Sequence, residues 1–154
     1  MCFIKGLGKE NWVHKVAETD ITCYKVVLGV GSDEFNSYYY QFRYKLGVDY
    51  RSDNIDEYKI NLYDRCETIG DGLFHSYIVN NRKVVLKPTM VDRFICWKRG
   101  LYSSDWKLCL VECVIPKGSY YWGNVQYNEY ASTGIRIVRV IEIIELNDIN
   151  FNLF

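Results

Sequence analysis

The sequence predicts an α+β fold: a single domain over residues 1–154 in which one or two helices pack on a mainly antiparallel, twisted sheet. Three observations lead there. Fourteen Tyr, seven Phe and four Trp stand beside 29 Val and Ile, and aromatic and β-branched side chains fit a pleated, half-buried surface. Only two Pro interrupt the 154 residues, so long ladders are spared the residue that cannot donate to them. One segment, residues 89–99, carries helical period and caps together.

Taken in chain order, residues 1–20 are mixed, with Trp12 and Val13 as anchors, and a second helix, if one forms, falls at 9–18. The run from Ile21 to Leu28 (ITCYKVVL) reads as a buried strand, stopped by Gly29-Val-Gly31-Ser32-Asp33. Residues 35–50 are the most aromatic part. There Phe42, Tyr44 and Leu46 alternate with Arg43 and Lys45, the period of a strand with one wet face. A weaker strand at 57–64 is separated by Gly70-Asp-Gly72 from the run Leu73–Ile78. The helix follows: Thr89 caps it, Asp92 faces its N-terminal dipole, Lys98 and Arg99 fill the last turn and Gly100 ends it. Met90, Phe94 and Trp97 form its apolar stripe. Trp106–Ile115 is nearly continuously apolar, as a central strand is, and Pro116-Lys-Gly118 closes it. In Gly134–Glu145 the apolar phase moves from Ile135 and Ile137 to Val138 and Val140, then to Ile141 and Ile143. Two such slips predict a bulge or a sharp twist.

Nineteen basic and nineteen acidic residues cancel. That leaves no long-range field for an extended nucleic acid or an anionic lipid surface. No run of about 20 apolar residues offers a membrane span. Six cysteines lie mostly in apolar runs, no C-x-x-C knuckle occurs, and His14 and His75 are the two imidazoles. The expectation is reduced thiols in a cytosol, with no metal and no cofactor. The opening Met1–Gly6 lacks the charged-then-apolar pattern of a leader, in keeping with that expectation.

Candidate functional residues are those too polar for a core yet set beside rings. Arg43 and Tyr44 belong to the tract Tyr38–Lys45, which interleaves rings with cations as a stacking platform does. His75 stands beside Ser76 after two glycines, placed for directional hydrogen bonding. Tyr121, Tyr130 and Ser132 come from the loop-rich stretch between the two strongest strands, where rings and small hydroxyls together suit a planar ligand. Each also has a plain structural use in a sheet. Cys109 and Cys113 share a strand face, and their apolar neighbours favour core packing over redox chemistry. Glu142 and Glu145 read as solvated edge residues rather than an acid–base pair.

Five patches occur in order: Ile21–Val27, Gly72–Tyr77, Cys113–Gly123, Glu129–Ser132 and Ile135–Ile137. Together they resemble small uncharacterised proteins encoded by bacteriophages and gut bacteria. The resemblance implies a phage or mobile-element product working in a bacterial cytoplasm. The Ile115-Pro-Lys-Gly118 patch, its Tyr/Ser turn and the final β-branched strand are more distantly similar to the end of ADP-ribosyltransferase domains. That likeness implies an NAD-using alternative, with Ser132, Thr133, His75 and Ser76 in supporting places but no E-x-E near the last strand. The leading expectation is a non-catalytic binding protein with an aromatic pocket, sequestering a nucleotide-like host signal or inhibiting a host defence protein. A protein-interaction module presenting Tyr38–Tyr40 and Tyr120–Trp122 is a further alternative. The long terminal β-branched strand, which leaves an edge in need of a partner, and zero net charge also predict a homodimer.

Overall fold

The computed structural model describes residues 4–5, 13–37, 42–52, 68–69, 73–80, 106–125 and 128–144. They form twelve strands: β1 (Ile4–Lys5), β2 (Val13–Val16), β3 (Ile21–Gly29), β4 (Glu34–Asn36), β5 (Arg43–Lys45), β6 (Tyr50–Arg51), β7 (Thr68–Ile69), β8 (Phe74–Tyr77), β9 (Lys107–Ile115), β10 (Tyr120–Asn124), β11 (Glu129–Ser132) and β12 (Gly134–Ile144). The α+β expectation is therefore corrected. The architecture is nearly all β, a mainly antiparallel sheet with no helix packed on it among the described residues. Residues 13–16, inside the second expected helix, are strand, because Val13–Val16 pairs along its whole length with β10. Tertiary pairing outweighs the weak local helix preference there. The helix expected at 89–99, Tyr38–Tyr40 and Glu145 lie outside the described residues.

Three long ribbons build the frame. β3 pairs with β9 from Ile21↔Ile115 to Gly29↔Lys107, and β9 pairs with β12. Each ribbon continues around a corner into a second strand: β2 into β3, β9 into β10, β11 into β12. The continuations pair again, β2 with β10 and β10 with β11. The corners are made locally. Gly118, at φ 88°, takes the third place of a turn in which Ser119 N–H donates to the Pro116 carbonyl at 3.0 Å. Ala17 N–H donates to Ser119 O and Gly118 N–H to Ala17 O, both at 2.8 Å, which ties two corners together.

The remaining gap is closed twice. At one end β8 pairs with β11 and meets β3 at Tyr24↔Tyr77. At the other end β4 pairs with β3 and β5, and the turn after β5 carries the chain to β6, which pairs with β12. Gly47, at φ 77°, anchors that turn by donating to Ile137 O at 2.8 Å. Paired strands thus run round a barrel-like ring from β3 through β9 and its continuation β10 to β11, β8 and back to β3, while β2 and β6 end the strand order; β8 and β4–β6 are two short staves separated by a seam. β12 has two register shifts, between Ile137 and Arg139 and between Val140 and Glu142. These are the slips seen in its apolar phase, and they bend the strand round the barrel.

The interior is filled from alternate positions. Cys23 and Val27 of β3, Phe35 of β4, Tyr44 of β5, Cys109, Val111, Cys113 and Ile115 of β9, and Ile135 and Ile137 of β12 make one buried cluster. Each fully buried Val or Ile contributes about 1.5–3 kcal/mol relative to exposure. Val26, Leu28, Leu108, Leu110 and Ile144 are also buried, on the opposite face of the same strands. That double burial is why Trp106–Ile115 reads as continuously apolar.

Candidate functional site

Lys25 occupies the β3 position between Cys23 and Val27, so it faces inward with them. It is half-buried. Its ammonium donates to the His75 carbonyl and lies 6.0 Å from the centre of the Tyr44 ring. No carboxylate stands within ion-pair distance of it among the described residues. Lys25 sits on the stretch of β3 between the Tyr24↔Tyr77 and Leu28↔Asn36 pairs, which is the seam between the two short staves.

Aromatic rings converge on the same seam. Phe42 approaches Tyr44 at 4.8 Å, Tyr50 at 5.4 Å and Phe74 at 5.7 Å between ring centres. Tyr44 in turn meets Tyr50 at 5.4 Å and Phe74 at 6.2 Å. Most of these contacts are edge-on or tilted, the favourable geometry for aromatic pairs. Tyr44 is buried, Tyr50 and Phe74 are half-buried and Phe42 is exposed, so the group grades from core to solvent. The Tyr50 hydroxyl accepts from Lys45 N–H at 2.7 Å, which fixes its ring.

Deeper in, Cys23 and Cys113 are direct cross-strand partners and fully buried. Burial pushes the Cys113 thiol well above its ordinary value, and the adjoining Cys23 sulfur pushes it further. Ser76, also buried, adjoins Cys23. Across β11 and β10, Tyr130 and Tyr121 meet edge-on at 5.7 Å and pack against the core. Burial first, then Tyr121 and Cys23, raises the Tyr130 hydroxyl above the ordinary tyrosine value.

The six sequence-predicted residues divide. Tyr44, Tyr121, Tyr130 and Ser132 share the inward face, joined through Phe74, the cross-strand partner of Ser132. Ser132 is buried and spends its hydroxyl on the Gly134 carbonyl at 2.9 Å. Arg43 does not join them. It is exposed, opposite Tyr44 in the strand's alternation, and binds Asn36 and, at 2.8 Å, Glu34. His75 also points away, since Phe74 and Ser76 face inward and it alternates with them. Lys25 is absent from the sequence-predicted set because Ile21–Leu28 reads as one buried strand, in which no residue stands out as a site. Its spacing of two from Cys23 was the available signal.

Other residues named from the sequence lie apart from the seam. Tyr120 is exposed, Tyr121 half-buried and Trp122 buried, so the three do not make one surface patch. Glu142 pairs in register with Leu110 at the far end of β12 from Ser132, on the face opposite the core cluster. No group of three His, Cys, Asp or Glu that could hold a metal ion gathers among the described residues. Within them no helix is long and apolar enough to cross a membrane. Comparison of the chain with protein-family models, curated proteins and solved structures finds no match.

Proposed function

We propose that this chain is a non-catalytic, phage-type binding protein that takes a nucleotide-like ligand at the seam around Lys25. Binding would sequester a host signal or block a host defence protein. One observation carries the reading: a half-buried ammonium with no carboxylate partner among the described residues sits beneath rings that grade out to solvent. Half-burying a cation costs free energy that a ligand anion can offset. The exposed and half-buried rings offer a face or edge to a planar base. Tyr44 and Phe74 supply the joint between this group and the Tyr121–Tyr130 pair.

Calorimetric titration against cyclic and ADP-ribose-type nucleotides tests the proposal. A panel silent at about 100 µM overturns it. Lys25→Met separates binding from architecture, because removing a half-buried charge leaves stability equal or raised if the lysine serves a ligand. The expected variant melts no lower than the parent and binds at least tenfold more weakly. Phe42→Ala, at an exposed ring, is expected to weaken binding by about five- to tenfold with little change in melting.

A further inference from the structure

A concavity lies at the end of β3 away from the seam, where Gly29, Val30, Gly31 and Ser32 turn away from the barrel. It is a cleft of about 580 Å³, walled also by Phe35, Lys107, Cys109, Val140 and Ile143. We propose that this cleft is a separate binding site for a small apolar anion, an aromatic or branched aliphatic body carrying one carboxylate or sulfonate.

The size suits the class, since small-molecule sites span about 300–1,000 Å³. The walls are mostly apolar. Phe35 gives a ring from the core, and Val140 and Ile143 keep 38% and 43% of their surface open. Solvent-exposed branched side chains beside a concavity are what an apolar ligand covers. The charge is one-sided: among the described residues Lys107 is the charged group of the lining, no carboxylate lines the cleft, and no ion-pair partner engages Lys107. Its position follows from register. Lys107 pairs with Gly29 and shares the inward side of β9 with Cys109, so its chain rises over the mouth.

The absence of side chains at the lip is part of the site. A methyl group on Gly29 would stand 3.0 Å from the Cys109 sulfur, inside contact distance, whereas one on Gly31 would meet only the Glu34 Cβ at 3.7 Å. Gly29 therefore lets the cleft reach the thiol. Gly31 is a place where a large side chain can be added without disturbing the frame. Phe35, cross-strand partner of Tyr44, stands between this cleft and the seam, so the two sites are distinct in their charged residue and in their walls.

Anilinonaphthalene sulfonate, two ring systems and one anion, is the probe, followed by fluorescence on the full chain. The expected result is saturable binding at one site that Gly31→Trp weakens at least tenfold and Lys107→Met about fivefold, with Lys25→Met leaving it unchanged. Val140→Glu places a carboxylate in the same wall from an exposed position and is expected to match Gly31→Trp, so the test survives if either variant melts early. Non-saturable binding, no binding, or binding lost in Lys25→Met but kept in Gly31→Trp and Val140→Glu overturns the proposal. The nucleotide titration stands or falls on Lys25 and not on these residues, so one failure does not imply the other.

Discussion

Lys25 and Arg43 take opposite faces from those their neighbours in the sequence suggest. In the sequence, Arg43 sits among rings and Lys25 in the largely apolar run Cys23–Val27, and only the ring-rich context looks like a site. Folding reverses this because side chains alternate across a strand: Arg43 is one position from Tyr44 and faces out, while Lys25 is two from Cys23 and faces in. Two residues away from both carry sharper tests. A methyl group on Gly134 would collide with the Ser119 hydroxyl and approach the Pro116 ring at 3.3 Å. Gly134→Ala is expected to cost about 1–3 kcal/mol, lowering Tm by roughly 3–10 °C. Adding Ser119→Gly should recover part of that loss, and additive losses in a thermal melt would refute the contact. Asp20 accepts from Lys117 N–H at 2.9 Å and pairs with Arg136 at 3.2 Å, which together hold its carboxyl below the ordinary aspartate value. A depressed folded value gives stability above the unfolded value that is lost as pH falls through the folded one. Wild type should therefore lose stability below about pH 4 more steeply than Asp20→Asn. Equal acid slopes in urea denaturation would remove Asp20 from the account.

Among the elements, β12 was the most legible. Its apolar residues change phase twice, and the ladder shifts register at the same two places. Val138 and Ile141 are left over in the pairing with β9, whereas Val111 lies in a ladder regular on its β3 side. Deleting Val138 brings Ile137 and Arg139 next to each other opposite Cys113 and Glu112, so the chain is expected to fold with a straighter strand and a lower Tm. Deleting Val111 moves every later β9 side chain to the wrong face and should abolish cooperative melting. Circular dichroism of the two deletions decides, and equal outcomes would deny the bulges their role. β2 was illegible for the opposite reason. Four residues around Lys15 have no period of their own, and only β10 tells them to be extended. The short staves β4, β5 and β8 carry the seam; β4 and β5 fold back locally on β3, but β8 reaches β3 only through Tyr24↔Tyr77, a pairing remote in sequence that no local pattern announces.

For the molecule as a whole, β2 and β6 end the strand order, and no described strand covers the outer edge of β2. An open edge on a chain with no net charge favours self-pairing. Light scattering at micromolar concentration is expected to return twice the 18.2 kDa chain mass. Charging that edge with Val16→Lys, at a side chain already 49% exposed, should return it to a single mass without lowering Tm. A parent that already elutes at a single chain mass contradicts the dimer.

The ladder that seals Cys23 against Cys113 also sets a schedule for synthesis. Ile21 finds its partner only when Ile115 exists, and Cys23 only when Cys113 does. A chain emerging from a ribosome exposes β3 for the whole interval before β9 follows, at about 5–20 residues per second. Pairing across such a span is slow to nucleate. Cys23 is therefore open to alkylating reagents in the growing chain and closed to them in the finished one, which makes its labelling a clock for when the barrel shuts.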